Sequence, residues 1–333
     1  MQGSRRAVSL RIVMMGTGAF AVPTFSQLIE SPHDVVGLFT QPDRKGRGHH
    51  RHHNPLKELA LEHGIPVFQP QNVNDSEALD SLAKLNPDLC VVAAYGQILS
   101  AKLLQTPRLG AINIHASLLP KYRGAAPIHY AILNGETETG ITIFQIEPKL
   151  DAGPILGVVS TPIGPKETSG ELHERLAKLA GPLTLHVIEQ LEAGTAQPVV
   201  QNSDDITLAP TMKKSFGQID WSQPTSRVLC HLRAMQPWPS PFTFLIQPER
   251  SPLRLLILDA DPLEAGEIPD PNKTPGTVIA ADENSFAVRT GDGAIVIREL
   301  RPEGKRAMSA ADFLRGRAVH VGDQLKNAEE CSL

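Results

Sequence analysis

Residues 88–115 read DLCVVAAYGQILSAKLLQTPRLGAINIH, and this stretch decides the fold class. It contains two apolar runs of strand length, Asp88–Ala94 and Ala111–His115, with a short helical segment at Ala101–Gln105 between them. Nearly continuous apolar runs of this length are typical of strands that are buried on both faces of a sheet. Two such strands joined through a helix predict a parallel sheet with helices on its faces.

The same alternation continues on both sides of this unit. Helical patterns follow strand-like runs at Leu10–Met15 and Val35–Thr40, and two further strands are expected at Ile141–Ile146 and Ile155–Pro162. The last helix opens with Thr168-Ser169-Gly170-Glu171, which has the form of a capping box. We therefore predict a Rossmann-like α/β domain with a mostly parallel sheet over residues 1–204.

Residues 205–333 carry a different pattern. The polar, aperiodic stretch Thr195–Pro210 is interpreted as a linker. A helix near Ser226–Ala234 follows, and after it come five short strand-like segments at Phe242–Ile246, Arg254–Asp259, Gly276–Ala280, Phe286–Thr290 and Ala294–Leu300. Five short strands separated by turn signals predict a small OB-like β-barrel.

The composition excludes several classes of protein. With 333 residues, 41% hydrophobic and 20% charged, the chain is long enough for two cores and is not typical of a disordered protein. No apolar run approaches the length of a membrane helix, so none is expected. The net charge of −4 means that a nucleic-acid partner would have to be held by local basic patches.

Cysteine usage indicates the compartment. Cys90, Cys230 and Cys331 are odd in number and widely spaced, which favours reduced thiols over a disulfide framework. There is no C-x-x-C pair for zinc, and the N-terminal residues do not form a signal peptide. We therefore expect a cytoplasmic protein without a zinc site built on paired cysteines.

The strand Ala111–His115 carries the strongest candidate site. Strand alternation places Asn113 and His115 on one face, at the carboxyl end of an inner strand, where open α/β sheets bind ligands. The alternative is that Asn113 and His115 only form hydrogen bonds at the end of the strand and bind no ligand. Asp151, within Leu150-Asp151-Ala152-Gly153-Pro154, is by itself typical of a turn, and it gains a chemical role only if that turn packs beside His115.

A second glycine-rich segment leaves an alternative open. Gly16–Ala21 follows a strand and opens a helix, so it partly fits a dinucleotide-binding fingerprint. The sixth position is alanine, and the next strand ends without an acid placed for a ribose hydroxyl. A tight turn and the site of a nicotinamide-dependent dehydrogenase are the two interpretations.

Three segments together resemble the signature of folate-dependent formyltransferases: Asn113–His115, Ser117–Ile128 and Leu150–Pro154. Four others are similar to the branch of that family that acts on methionyl-tRNA: Gln41–Arg44, Tyr95–Leu99, Ile219–Trp221 and Gln236–Pro239. The resemblance extends from about Leu10 to about Leu325. It departs from the family at Gln236, where asparagine is common, and in the loop after Arg44, where four histidines replace lysines.

The resemblance implies an activity and a set of residues. The family transfers a formyl group from 10-formyltetrahydrofolate to the α-amino group of methionine on initiator tRNA, without a metal. Asn113, His115 and Asp151 match the catalytic residues. The chemistry implied has the Asn113 amide and a His115 imidazolium donate to the oxyanion, while Asp151 keeps His115 protonated near pH 7 and accepts the proton of the attacking amine. The expected donor-binding residues are Ser117, Leu118, Leu119 and Pro120, with Tyr95, Gly96 and Gln97 at the pocket wall.

The resemblance also places the tRNA contacts. The loop after Gln41 and the barrel are expected to reach the tRNA, with Arg44, Lys45, Arg47, Lys213, Lys305 and Arg306 as candidate contacts. The His49–His53 tract could bind tRNA or a metal. A formyltransferase for a purine precursor or a nucleotide sugar, and an RNA-binding protein that uses only the barrel, remain alternatives. We expect a monomer.

Overall fold

The computed structural model describes residues 9–43, 54–264 and 272–327, and these form two compact units. The first unit comprises Met1–Pro127, Glu138–Pro162 and His173–Pro210, and the second comprises Ile128–Thr137, Ile163–Leu172 and Thr211–Leu333. The units therefore interleave along the sequence. The boundary between residues 204 and 205 stays a prediction.

The first part of the chain alternates strands and helices. In order these are β1 (Arg11–Gly16), α1 (Val22–Glu30), β2 (Asp34–Phe39), α2 (Pro55–Glu62), β3 (Val67–Phe68), α3 (Ser76–Lys84), β4 (Leu89–Ala93), α4 (Ala101–Leu104), β5 (Ala111–His115), β6 (Arg123–Gly124), α5 (Pro127–Leu133), β7 (Glu138–Gln145), β8 (Ile155–Pro162), α6 (Ser169–Ala193) and β9 (Leu208–Ala209). The predicted strands and helices of residues 10–193 are confirmed, apart from small shifts of their ends.

Seven strands form one sheet in the order β3-β2-β1-β4-β5-β7-β8. The first five are parallel, whereas β7 is antiparallel to β5 and β8 is antiparallel to β7. The predicted mostly parallel sheet is thus confirmed. All five residues of β4 are buried, as its apolar sequence predicts, and β4 and β5 lie in the interior of the sheet.

Local sequence signals fix the helix ends. Asn54 caps α2, because its side chain accepts a hydrogen bond from the backbone of Lys57. The capping box before α6 is present, with Thr168 and Glu171 bonded to each other's backbone N–H groups. Pro182 lies inside α6, which continues through it to Ala193.

The stretch interpreted as a linker is an ordered part of the first unit. β9 pairs in parallel with β6, and Val199 pairs with Ile155 at the edge of β8. The linker interpretation was wrong: the stretch is exposed over most of its length, yet strand pairs and the side chains of Gln201 and Thr207 fasten it to distant segments of the same unit. Its polar composition did not reveal these contacts.

The second unit contains a barrel. Its elements are α7 (Thr225–Ala234), β10 (Phe242–Ile246), β11 (Leu253–Pro262), β12 (Val278–Ala281), β13 (Phe286–Arg289), β14 (Ala294–Pro302), β15 (Met308–Ser309), α8 (Ala310–Gly316) and β16 (Gln324–Lys326). The strands follow the order β12-β13-β14-β11-β10-β16, and every neighbouring pair is antiparallel. The predicted β-barrel domain is confirmed.

The barrel closes through β16, a strand that the sequence pattern did not predict. Thr277, just before β12, pairs with Gln324, and the backbone N–H of Leu325 donates to the carbonyl oxygen of Gly276 at 2.7 Å. Inside, apolar residues form one core that includes Leu245, Leu255, Ile257, Val288, Ile295 and Ile297. In β10 the alternation of buried and half-buried residues directs Thr243 and Leu245 inward.

Candidate active site

Asn113 and His115 project from the carboxyl end of β5, as strand alternation predicts. β5 lies between β4 and β7, and its final register pair joins His115 to Thr142. Asn113 is half-buried, and its side-chain amide makes no hydrogen bond to any residue within 9–43, 54–264 and 272–327. Two donor groups of Asn113 are therefore available to a substrate.

His115 is buried, with 5% of its surface exposed, and both ring nitrogens face polar groups. Nε2 lies 2.9 Å from the carbonyl oxygen of Tyr122. Because a carbonyl only accepts, Nε2 carries the hydrogen and donates it. Nδ1 lies 3.8 Å from Oδ2 of Asp151, so the turn that carries Asp151 does pack beside His115.

Burial lowers the pKa of His115 below its ordinary value, because the imidazolium loses hydration. The Asp151 carboxylate and the Tyr122 carbonyl oppose this effect, and the positive charge of Arg123 adds to it. The imidazole is therefore neutral near pH 7, with Nδ1 unprotonated. This differs from the expectation that Asp151 keeps His115 protonated, since burial outweighs the carboxylate.

The position of Asp151 is fixed by its turn. The residue has φ of 46°, in the left-handed region that aspartate adopts more readily than most side chains. Its Oδ2 accepts a hydrogen bond of 2.8 Å from the backbone N–H of Gly124. The same oxygen faces Nδ1 of His115, so Oδ2 contacts both the Gly124 backbone and the imidazole.

The predicted donor-binding loop follows β5 directly. Its anchor is Thr142 of β7, which is buried and whose hydroxyl donates to the carbonyl oxygen of Ser117 at 2.7 Å. The same hydroxyl accepts from the backbone N–H of Leu119 at 3.1 Å. The loop with Ser117, Leu118, Leu119 and Pro120 is thereby held beside His115, and its role in donor binding stays a prediction.

Tyr95, Gly96 and Gln97 follow the carboxyl end of β4. The Tyr95 ring is buried in the apolar cluster with Val13 and Phe39, and its hydroxyl has no hydrogen-bond partner among the described residues. The Gln97 side chain accepts from the backbone of Val73 at 2.7 Å. These side chains pack at the carboxyl end of the sheet. Their contact with a formyl donor stays a prediction.

The candidate tRNA contacts fall into two groups. Lys213, Lys305 and Arg306 are exposed in the second unit, and none of them forms an ion pair with another described residue. Arg44, Lys45, Arg47 and the His49–His53 tract lie outside the described residues, as does Cys331.

Sequence reasoning missed three residues around the site. Arg123 is buried and donates to the side chain of Gln201, which in turn contacts the turn of Asp151. Thr207 accepts from the backbone of Tyr122 through its hydroxyl at 2.8 Å. Of the three, only Arg123 could have been found from the sequence, because it lies inside the motif that follows β5. Gln201 and Thr207 lie in a polar, aperiodic stretch, and such a stretch does not indicate which distant residues its side chains contact.

The glycine-rich segment Gly16–Ala21 forms a tight turn. Gly18 has φ of 83°, and the Thr17 hydroxyl accepts from the backbone N–H of Gln41 at 3.2 Å. Its threonine therefore joins the ends of β1 and β2. Within the described residues, no three histidine, cysteine or acidic side chains are placed to hold a metal ion, and no helix is long and apolar enough to span a bilayer.

Comparisons with known proteins show which family this chain belongs to. A family profile described as "Formyl transferase" matches residues 10–188, and one described as "Formyl transferase, C-terminal domain" matches residues 211–318. A methionyl-tRNA formyltransferase of Trichlorobacter lovleyi is 42% identical over 316 residues, which cover 95% of this chain and 96% of that protein.

The chain belongs to the methionyl-tRNA formyltransferase family.

A second relative in this family, from Methylococcus capsulatus, is 45% identical over 311 residues, covering 93% of this chain and 98% of that protein. Among solved structures, the sugar 3N-formyltransferase WlaRD has a TM-score of 0.63 at 19% identity and covers 90% of this chain and 100% of that one. HypX from Aquifex aeolicus in complex with tetrahydrofolic acid has a TM-score of 0.59 at 20% identity, covering 92% of this formyltransferase and 47% of that chain. At these identities the two structures show a shared fold.

Proposed function

We propose that this enzyme transfers the formyl group of 10-formyltetrahydrofolate to the α-amino group of methionine esterified to initiator tRNA. The observation that carries the proposal is the contact between His115 and Asp151, beside the unengaged amide of Asn113. These groups meet the needs of acyl transfer to an amine: a proton acceptor, a carboxylate that stabilises the cation formed, and a donor for an oxyanion.

The first step joins the amine to the formyl carbon. The amine nitrogen attacks, a carbon–nitrogen bond forms, and the formyl oxygen becomes an oxyanion. The side-chain amide of Asn113 donates a hydrogen bond to that oxygen, which is the position where charge develops. The proton shed by the amine passes to Nδ1 of His115, directly or through a water.

The resulting imidazolium is stabilised on both sides. The Asp151 carboxylate faces Nδ1, and the Tyr122 carbonyl accepts from Nε2. In the second step the bond between the formyl carbon and the folate nitrogen breaks, and the proton on Nδ1 moves to that nitrogen. Tetrahydrofolate leaves as a neutral amine, and His115 returns to its neutral form.

Binding residues complete the proposal. Ser117, Leu118, Leu119 and Pro120 would hold the donor, with Tyr95, Gly96 and Gln97 at its side. The loop with Arg44, Lys45 and Arg47, together with Lys213, Lys305 and Arg306, would contact the tRNA. On this view residues 1–204 carry the chemistry and residues 205–333 hold the tRNA, in a cytoplasmic monomer.

The test is a transfer assay with formyl-labelled donor. We expect label on the methionine of charged initiator tRNA, and much less on the same amino acid carried by elongator tRNA. Label on a purine precursor or an amino sugar nucleotide, with none on methionyl-tRNA, would contradict the proposal. The matched control is uncharged initiator tRNA, which lacks the amine and should remain unlabelled.

A further inference from the structure

A short segment after the donor-binding loop contacts both members of the catalytic pair. The carbonyl oxygen of Tyr122 accepts from Nε2 of His115, and the backbone N–H of Gly124 donates to the Asp151 carboxylate. The residue between them, Arg123, points its side chain elsewhere. The positions of the imidazole and the carboxylate therefore both depend on where residues 122–124 lie.

The side chain of Gln201 holds the other side of the Asp151 turn. Its Nε2 donates to the carbonyl oxygen of Asp151 at 2.9 Å and to that of Gly153 at 2.7 Å. Both N–H groups of one amide are thus used on carbonyls that flank Ala152. Gln201 therefore holds the turn that carries the Asp151 carboxylate by hydrogen bonds to the backbone of that turn.

Arg123 connects these two contacts. Its guanidinium donates to Oε1 of Gln201 from NH2 at 2.7 Å and from Nε at 3.2 Å. Because a guanidinium only donates, it fixes which end of the Gln201 amide faces the turn. Arg123 is 6% exposed and forms no ion pair with another described residue, so Gln201 is the side chain that satisfies it.

The main chain of the 201–209 stretch is itself attached to residues 122–124. The hydroxyl of Thr207 accepts a hydrogen bond from the backbone N–H of Tyr122. The carbonyl oxygen of Thr207 accepts one from the backbone N–H of Arg123 at 2.9 Å. β9 then pairs with β6. On the other side of Gln201, Val199 pairs with Ile155 at the start of β8. Gln201 is therefore held against the site by backbone contacts before and after it.

We propose that Gln201 is a positioning residue, which acts with Arg123 to hold the Asp151 turn so that its carboxylate faces His115. This inference rests on the proposed function. Gln201 is 9% exposed, and its amide makes four hydrogen bonds, so it has no polar group left for a substrate. Its loss should therefore lower kcat and leave substrate binding unchanged.

The experiment compares Gln201→Leu and Gln201→Glu with the parent enzyme under steady-state conditions. Leucine removes all four hydrogen bonds. Glutamate keeps an acceptor for Arg123 but cannot donate to the two carbonyls. It therefore distinguishes the effect of losing the hydrogen bonds to the turn from the effect of leaving Arg123 buried without an acceptor. We expect kcat to fall by about 10- to 100-fold in both variants, because small misplacements of reacting groups have effects of this size. The KM values for donor and methionyl-tRNA should stay within about 3-fold.

Asn202→Ala is the matched control, since Asn202 is exposed in the same stretch and, in the part of the chain that the structure describes, its side chain bonds only to Asp204 and Asp205. It should retain the parent kcat. A second readout is the double variant Gln201→Leu with Asp151→Asn. If Gln201 acts through Asp151, the double variant should be no slower than Asp151→Asn alone, whereas independent effects would multiply.

Three results would overturn the inference: a parental kcat in both Gln201 variants, multiplied losses in the double variant, or failure of both Gln201 variants to fold, which would assign Gln201 a structural role. If the parent enzyme does not formylate methionyl-tRNA at all, the proposed function fails instead, and the two failures are distinguished.

Discussion

In the proposed mechanism, the His115 imidazole carries the proton from the amine to the folate nitrogen. Burial keeps it neutral, while the carboxylate of Asp151 and the carbonyl of Tyr122 are placed to stabilise the imidazolium once a proton arrives. A base that starts neutral and is stabilised when protonated is suited to accept a proton in one step and return it in the next.

The titration of His115 is open to direct measurement. By NMR, its midpoint should lie below the ordinary value of about 6.5, because burial disfavours the charged ring. In Asp151→Asn the midpoint should fall further, because the substitution removes the negative charge that favours the imidazolium. The resonance is assigned by its absence in His115→Ala.

A midpoint above 6.5 in the parent, or an upward shift in Asp151→Asn, would show that the charge balance around the ring has been assigned incorrectly.

The sequence predicted which side chains lie together better than it predicted the protonation of His115. Strand alternation gave Asn113 and His115 a common face, and the resemblance to formyltransferases added Asp151. The burial of His115 comes from Tyr122, Phe144 and other residues that pack around the ring only in the folded chain. No local pattern reports that burial, so the resting state of the ring could not be predicted.

The turn between β7 and β8 is the element that presents the carboxylate. Gly153 lies so close to β7 that a Cβ atom there would be 1.8 Å from the carbonyl oxygen of Gln145. Glycine is therefore required by the close approach of two backbones. Movement of this turn would carry Asp151 with it.

Replacement of Gly153 by alanine tests this dependence. We expect Gly153→Ala to lower the free energy of unfolding by about 1–3 kcal/mol, as for other overpacked sites, and to lower turnover at least about 10-fold by displacing Asp151. Chemical denaturation and steady-state kinetics measure the two effects.

Gly64→Ala is the control. Gly64 has φ of 67°, and no atom of the described residues lies within 4 Å of an added Cβ, so alanine there costs about 1–2 kcal/mol of backbone strain and should leave turnover unchanged. Equal turnover in Gly153→Ala and the parent would mean that the turn does not position Asp151.

Elements with strong local signals were predicted, and those defined by distant partners were not. β4 and β5 have nearly continuous apolar sequences and lie where they were expected. β9 has two residues and β16 has three, too short for a periodic pattern, and both exist because they pair with segments far away in sequence.

At the scale of the whole molecule, tRNA binding requires basic residues clustered in local patches. The net charge is −4, so the average field of the protein repels a polyanion. Exposed cations that have no acidic partner within residues 9–43, 54–264 and 272–327, such as Lys305 and Arg306 in the second unit, are able to pair with phosphates. Each such pairing releases counterions and steepens the salt dependence of binding.

Charge reversal tests this assignment. The double variant Lys305→Glu with Arg306→Glu should bind tRNA at least about 10-fold more weakly, and its salt slope should decrease by somewhat less than 1 for each lost phosphate contact. Donor binding should stay at the parent level. Lys178→Glu, on the exposed face of α6, is the control with unchanged tRNA binding. An unchanged affinity and slope in the double variant would exclude these two cations as tRNA contacts.

The central claim is that Asn113, His115 and Asp151 perform the transfer of the formyl group. Its most direct test is the single-turnover rate of formyl transfer, with donor and methionyl-tRNA saturating, for Asn113→Ala, His115→Ala and Asp151→Asn. Each variant should fold and bind both substrates like the parent, yet transfer the formyl group at least about 10²-fold more slowly, because each lost group acts mainly in the transition state. A rate close to that of the parent in any of the three would contradict the role assigned to that residue.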